Sequence, residues 1–165
     1  LRSDAPDRFR DWIQHLQLAI PALEDVDVWE CPNDRRLFLN LKYRGGLKVP
    51  AFSVSDGTLR MLALTVLAYG VEGAATYLVE EPENGIHPRN LELVWQSLSS
   101  VYDKQVLLAS HSPLLIGLSE PEQLLCFKRE EDGAATIVRG SEHPALRTWK
   151  REVDLGTFVA SGILE

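Results

Sequence analysis

Two short apolar runs, each ending in polar residues and separated by a helical pattern, constrain this chain more than any other feature. Thr76-Tyr77-Leu78-Val79 ends in Glu80-Glu81, and Val106-Leu107-Leu108-Ala109 ends at Ser110-His111-Ser112-Pro113. Between them, Pro88 to Tyr102 reads as a helix with Leu91, Val94, Trp95 and Leu98 on one side. Strand, helix, strand is a βαβ crossover. The two runs are therefore expected to be parallel neighbours in one sheet, buried as parallel strands usually are. That order predicts an α/β fold.

The remaining chain fits around this unit. Phe9, Trp12, Ile13, Leu16 and Ile20 recur at helical spacing between Pro6 and Pro21. Extended stretches follow at Val26–Glu30 and Arg35–Tyr43, and in the second Leu37, Leu39 and Leu41 alternate with Phe38, Asn40 and Lys42. Gly45-Gly46 then turns the chain toward Leu47–Val49, which is the pattern of a small antiparallel unit. Asp56-Gly57 opens a helix whose expected apolar face is Leu59, Leu62, Ala63, Val66 and Leu67. Strands are also predicted near Leu124–Lys128 and Ala135–Val138 around an Asp132-Gly133 turn, with short helices around Leu146 and Phe158. A single domain over 1–165 is expected, with a helix and antiparallel strands at 1–51, a core at 52–118, and further strands and helices at 119–165.

Composition narrows the function classes. With 17 basic and 24 acidic residues the net charge is −7, which argues against nucleic-acid binding driven by gross charge. A content of 45% hydrophobic and 25% charged residues excludes a disordered chain. No run of about 18 apolar residues marks a membrane span, and Leu1-Arg2-Ser3-Asp4 has neither block of a signal peptide. Cys31 and Cys126 lie far apart without CxxC or His-paired spacing, so neither a disulfide scaffold nor structural zinc is expected. A cytoplasmic protein with no membrane partner is the expectation. Trp12, Trp29, Trp95 and Trp149 share no spacing and read as packing; Arg60 could track a phosphate or ligand, but a solvated helix arm is the plainer reading.

In open α/β sheets, ligand chemistry collects at the carboxyl ends of the parallel strands. Glu80, Glu81, Ser110 and His111 all fall there. One carboxylate of the pair can hold a hard cation through oxygen while the other orients or deprotonates a water. A histidine at the neighbouring strand can donate to a phosphoryl oxygen. For each residue alone, a solvated strand end or a satisfied histidine is the plainer alternative; several polar residues at one edge favour function.

Three motifs carry a family resemblance. Tyr77-Leu78-Val79-Glu80-Glu81-Pro82-Glu83-Asn84-Gly85-Ile86-His87-Pro88 resembles the Walker B and D-loop of ABC-type P-loop ATPases, in the branch with RecF-like, SMC-like and OLD-type AAA ATPases. Val54-Ser55-Asp56-Gly57-Thr58 resembles the signature loop, and Leu107-Leu108-Ala109-Ser110-His111-Ser112-Pro113 resembles the switch-histidine loop. They follow the family's order over about Phe52 to Leu118. The resemblance implies a P-loop NTPase-like parallel sheet with flanking helices, of which this chain is the C-terminal part. It implies ATP as substrate, Mg²⁺ held near Glu80, Glu81 as the catalytic carboxylate that polarises the attacking water, and His111 as a γ-phosphate contact. Ser55, Asp56, Gly57 and Thr58, at a helix N-terminus, would meet ATP held by the second subunit of a homodimer. Asn84, Gly85 and His87 would belong to a D-loop crossing that interface.

The chain also departs from the family's pattern. Glu80 replaces the usual Asp, Asp56 stands where many relatives have Gly, and His87 replaces a common Asp. No GxxxxGK[ST] occurs, so the Walker A portion is expected upstream of Leu1, and this piece alone is expected to be inactive. Two rivals follow. In one, ATP closes a dimer on DNA or an effector protein with little turnover. In the other, Glu80, Glu81 and Glu83 bind metal in a nuclease, although no DxD partner motif is present. A serine hydrolase built on Ser110 or Ser112 lacks the GxSxG elbow.

Overall fold

The computed structural model describes residues 1–33, 35–70, 76–102, 104–149 and 151–162, and divides into two compact units, Leu1–Ala109 and Ser110–Glu165. The first opens with helix α1 (Pro6–Leu16), where Pro6 occupies the first turn and so gives up no intrahelical donor. Trp12, Ile13 and Leu16 are its buried face. The helix stops short of the Ile20 expected from spacing. The amides of Leu18 and Ala19 bond back three residues instead, to His15 and Leu16, tightening the chain ahead of Pro21.

An antiparallel sheet follows, in the order β1 (Leu23–Glu30), β2 (Leu37–Tyr43), β3 (Lys48–Pro50). Gly45 and Gly46, at φ 83° and 82°, make the turn between β2 and β3 as expected. Leu23, Val26 and Leu41 point into the core. On the sheet's wetter side Lys42 Nζ lies 3.1 Å from Asp27 and Arg2 pairs with Asp25 at 3.0 Å. The hydrogen bond from Lys42 holds the Asp27 carboxyl below its ordinary value.

Helix α2 (Asp56–Thr65) buries Met61, Leu62, Leu64 and Thr65, a face rotated from the expected one. The helix ends at Thr65 and continues as a 3₁₀ segment (Val66–Tyr69), so the 3.6-residue count cannot be carried through Val66 and Leu67. Thr65 is a polar residue in the core because Trp12 Nε1 donates to its hydroxyl at 2.9 Å, and the hydroxyl in turn donates to Met61 O at 2.8 Å. Strand β4 (Thr76–Glu80), helix α3 (Leu91–Ser99) and strand β5 (Gln105–Ala109) form the βαβ crossover, with β4 and β5 parallel and Glu80 opposite Ala109. Leu91, Leu93, Val94 and Leu98 bury one side of α3, and His15 Nε2 of α1 lies 2.9 Å from Ser97 Oγ. The expectation that both strands are buried is corrected. Their residues alternate, leaving Leu78 77% and Leu107 41% exposed, because within this unit one face of the two-stranded sheet is left open.

The second unit holds α4 (Pro113–Gly117), the antiparallel pair β6 (Leu125–Arg129) and β7 (Ala135–Arg139), then α5 (Pro144–Arg147) and α6 (Leu155–Ala160). The Asp132-Gly133 turn is found, with Gly133 at φ 86°. A Cβ on Gly156 would stand 2.0 Å from Pro113 O, so α4 and α6 meet backbone against backbone. Leu115, Leu146 and Leu155 are buried here. Cys31 and Cys126 are free and half-buried, and burial pushes the Cys126 thiol up. Among the described residues no helix is long and apolar enough to cross a membrane.

Candidate functional site

Ser55 is the N-cap of α2. Its extended backbone lets the side-chain oxygen accept from the Thr58 amide at 3.2 Å, and its Oγ lies 2.8 Å from Thr58 Oγ1. Ser55 and Asp56 are exposed while Gly57 and Thr58 are half-buried. Asp56 adds an acidic group to the first turn, favourable to the helix dipole.

The Glu80–His87 segment forms a folded turn rather than an open loop. Glu80 ends β4 exposed; Glu81 is half-buried with φ 44°, a backbone state that side chains seldom adopt. The Glu81 amide donates to Ala109 O at 2.7 Å, carrying the β4–β5 ladder one step past the strand end. The Asn84 amide donates to Glu81 O at 3.1 Å and the Ile86 amide to Glu83 O at 3.0 Å. The Asn84 side-chain amide donates to the Glu81 carboxylate. Pro82 and Ile86 are buried and anchor the turn. Beyond it, His87 Nδ1 accepts from the Arg89 amide at 3.2 Å and caps the short 3₁₀ turn Pro88–Asn90.

Two devices fasten these loops together. Gly57 sits so close to the turn that a Cβ there would stand 1.9 Å from Gly85 O. Arg60, one turn into α2, donates from Nη2 to both Glu80 O and Glu81 O at 3.0 Å. Both loops line a groove of about 210 Å³, with Ser55, Gly57 and Thr58 from the first, Gly85 and His87 from the second, and Ala19 and Ile20 from the segment after α1. The residues expected from the sequence as signature loop and D-loop are therefore brought together in the first unit. His111 lies two residues past β5, in the second unit, exposed. The Ser110 Oγ accepts from the Ser112 amide at 3.0 Å, shaping the chain after the strand.

Residues 3–117 match the family described as "AAA domain, putative AbiEii toxin, Type IV TA system". The chain belongs to that family. An AAA-family domain is an ATPase-type domain, so ATP binding and hydrolysis is the kind of function it carries. The chain is also similar in fold to a solved structure described as "Structural biochemistry of ATP-driven dimerization and DNA stimulated activation of SMC ATPases". That likeness has 14% identity and a TM-score of 0.65, and it covers 99% of this chain and 95% of the other. The α/β, P-loop NTPase-like architecture follows from this match. None of the curated proteins compared with the chain matches it.

For an AAA-family site the implied metal is Mg²⁺. Among the described residues no group of three or more His, Cys, Asp or Glu side chains converges to hold a metal ion. Glu80, at the end of β4, is an exposed carboxylate with the oxygen chemistry that Mg²⁺ takes. This ion keeps most of its waters and binds through one or two carboxylates together with substrate phosphates. Arg60 is exposed, as expected of a solvated helix arm, and it also makes two contacts that the sequence does not show. Its side chain reaches two main-chain carbonyls 20 and 21 residues on, and no residue pattern marks a carbonyl as a partner.

Proposed function

We propose that this chain supplies the signature and Walker B half of an ATP-hydrolysing site, and that it works as an ATP-sandwich homodimer. The observation that carries the reading is the fastening of the Ser55 loop to the Glu80–His87 turn through Arg60 and the Gly57–Gly85 approach. The helix start and the acidic turn are thereby held together within one chain that belongs to an AAA family. In this reading the Ser55 hydroxyl and the Gly57 amide meet the γ-phosphate of ATP bound by the partner subunit, while the Thr58 amide stays on the Ser55 cap. Asp56 turns its charge to the helix start, and Gly85 and His87 face the interface. His111 contacts the γ-phosphate.

Glu81 orients the attacking water. The water oxygen bonds to the γ-phosphorus as the bond from that phosphorus to the β,γ-bridging oxygen breaks. ADP departs, and the water's proton passes to the Glu81 carboxylate. Glu80 would hold Mg²⁺ together with the ATP phosphates, and the ion would supply neutralisation of the developing negative charge. The 165 residues contain no GxxxxGK[ST], so the cradle for those phosphates comes from chain outside them.

Mg·ATP turnover by the full-length protein tests the proposal. Wild type should hydrolyse ATP, and Glu81→Gln should lose about 100-fold or more in kcat while still forming an ATP-bound dimer. Tight ATP binding without wild-type turnover would instead identify a clamp that closes on DNA or an effector. Metal-dependent DNA cleavage without ATP would identify the nuclease.

A further inference from the structure

Glu81 is held more tightly than a solvated strand end requires. A non-glycine residue at φ 44° persists only where its surroundings fix it. Here the amide is held by Ala109 O at 2.7 Å, and the carbonyl accepts from Arg60 Nη2 at 3.0 Å and from the Asn84 amide at 3.1 Å. With the main chain held on both sides, the place of the carboxylate depends on side-chain rotation. Asn84 acts on that freedom too, because its Nδ2 donates to Glu81 Oε2. An ionised carboxylate can only accept, so the amide must present its NH₂ group and not its oxygen. Asn84 thus binds Glu81 twice, main chain to main chain and side chain to side chain.

We propose that Asn84 is a positioning residue that works within its own chain, holding Glu81 Oε2 so that Oε1 is left for the attacking water. This rests on the reading of Glu81 as the residue that orients that water. It assigns Asn84 differently from the family resemblance, which places it in a loop reaching across to the second subunit. An oxygen that already accepts a hydrogen bond is the poorer partner for a second donor. The contact therefore selects which oxygen meets the water, and at what angle. Asn84 is exposed, so its side chain fills no core space and its removal opens no cavity.

Asn84→Asp tests this, since Asp keeps the shape but presents no NH₂ donor and repels the carboxylate. In the full-length protein with Mg·ATP, Asn84→Asp should lower kcat about 10- to 100-fold and leave KM for ATP within about two-fold. Asn84→Ala should fall in the same direction with an unchanged melting temperature. In a Glu81→Gln background, adding Asn84→Asp should leave the amount of ATP-bound dimer in light scattering unchanged. Wild-type kcat in Asn84→Asp, or a rise in KM alone, would overturn the inference while leaving the proposed function intact. Loss of the dimer in the double variant would also overturn it, because Asn84 would then act across the interface. Absence of turnover in wild type would remove the proposed function, and this inference with it.

Discussion

Gly57 and Gly46 separate two reasons for a glycine. Gly46 stands at φ 82° with nothing near its missing Cβ, so a side chain there meets conformational strain alone. Gly57 has no such φ, but a Cβ would stand 1.9 Å from Gly85 O and 2.8 Å from Gly85 C, both main-chain atoms that cannot rotate aside. Gly57→Ala must push the signature-like loop away from the acidic turn. A destabilisation of about 1–3 kcal/mol is expected, as for other overpacked sites, against about 1–2 kcal/mol for Gly46→Ala. Urea unfolding gives both values. Turnover should fall only in Gly57→Ala, and if the two variants behave alike in both assays the close approach does not exist. Residue by residue, the sequence was informative wherever chemistry repeats in order. Ser55, Gly57, Glu80, Glu81 and Asn84 could be singled out because their types and spacing form a pattern. Arg60 could not, since its partners are peptide carbonyls, which every residue carries.

At the scale of elements, caps explain why short helices hold. Helix α6 has six residues, too few to persist on propensity. Asp154 supports it by accepting from the Thr157 amide at 2.9 Å and the Thr157 hydroxyl at 2.6 Å. The Thr157 side chain first, and its amide next, hold the Asp154 carboxyl below the ordinary value of 3.8. Because the folded-state value is the depressed one, this support is fully present above about pH 4 and is lost as pH falls through the folded value. Asp154→Asn keeps a cap oxygen and removes the titration. Denaturant midpoints recorded from pH 6 down to pH 3 should therefore fall more steeply in wild type than in Asp154→Asn; parallel curves would show that the cap charge is immaterial. Element types were largely legible from periodicity, including the β4–α3–β5 crossover and the hairpin around Gly133. Faces were less so. The buried side of α2 contains Thr65, whose place depends on an indole in α1, 53 residues earlier. Local spacing carries no record of such a partner.

For the molecule as a whole, the strand pair that carries the candidate site presents an open apolar face. Parallel strands are normally covered on both faces, and a two-stranded sheet is marginal without a layer packed on it. In β4 and β5, Tyr77, Val79, Val106 and Leu108 are half-buried. On the other face Leu78 and Leu107 are directly opposite each other in the parallel register, and both are exposed. Sequence alone could not distinguish this from a fully covered sheet, because an apolar run states what can be buried and not what arrives to bury it. Two adjacent exposed leucines on a sheet face favour association, each being worth about 1.5–3 kcal/mol when fully covered. A charge introduced at Leu78 should interrupt that contact without disturbing the fold, since surface changes rarely exceed about 0.5 kcal/mol. Leu78→Glu is thus expected to melt at the wild-type temperature and to scatter less light than wild type as the concentration of the 165-residue chain rises. If Leu78→Glu lowers the melting temperature as a core substitution would, the face is covered within the chain. The carboxyl edge bearing Glu80 and Glu81 would then border a closed layer instead of an open one.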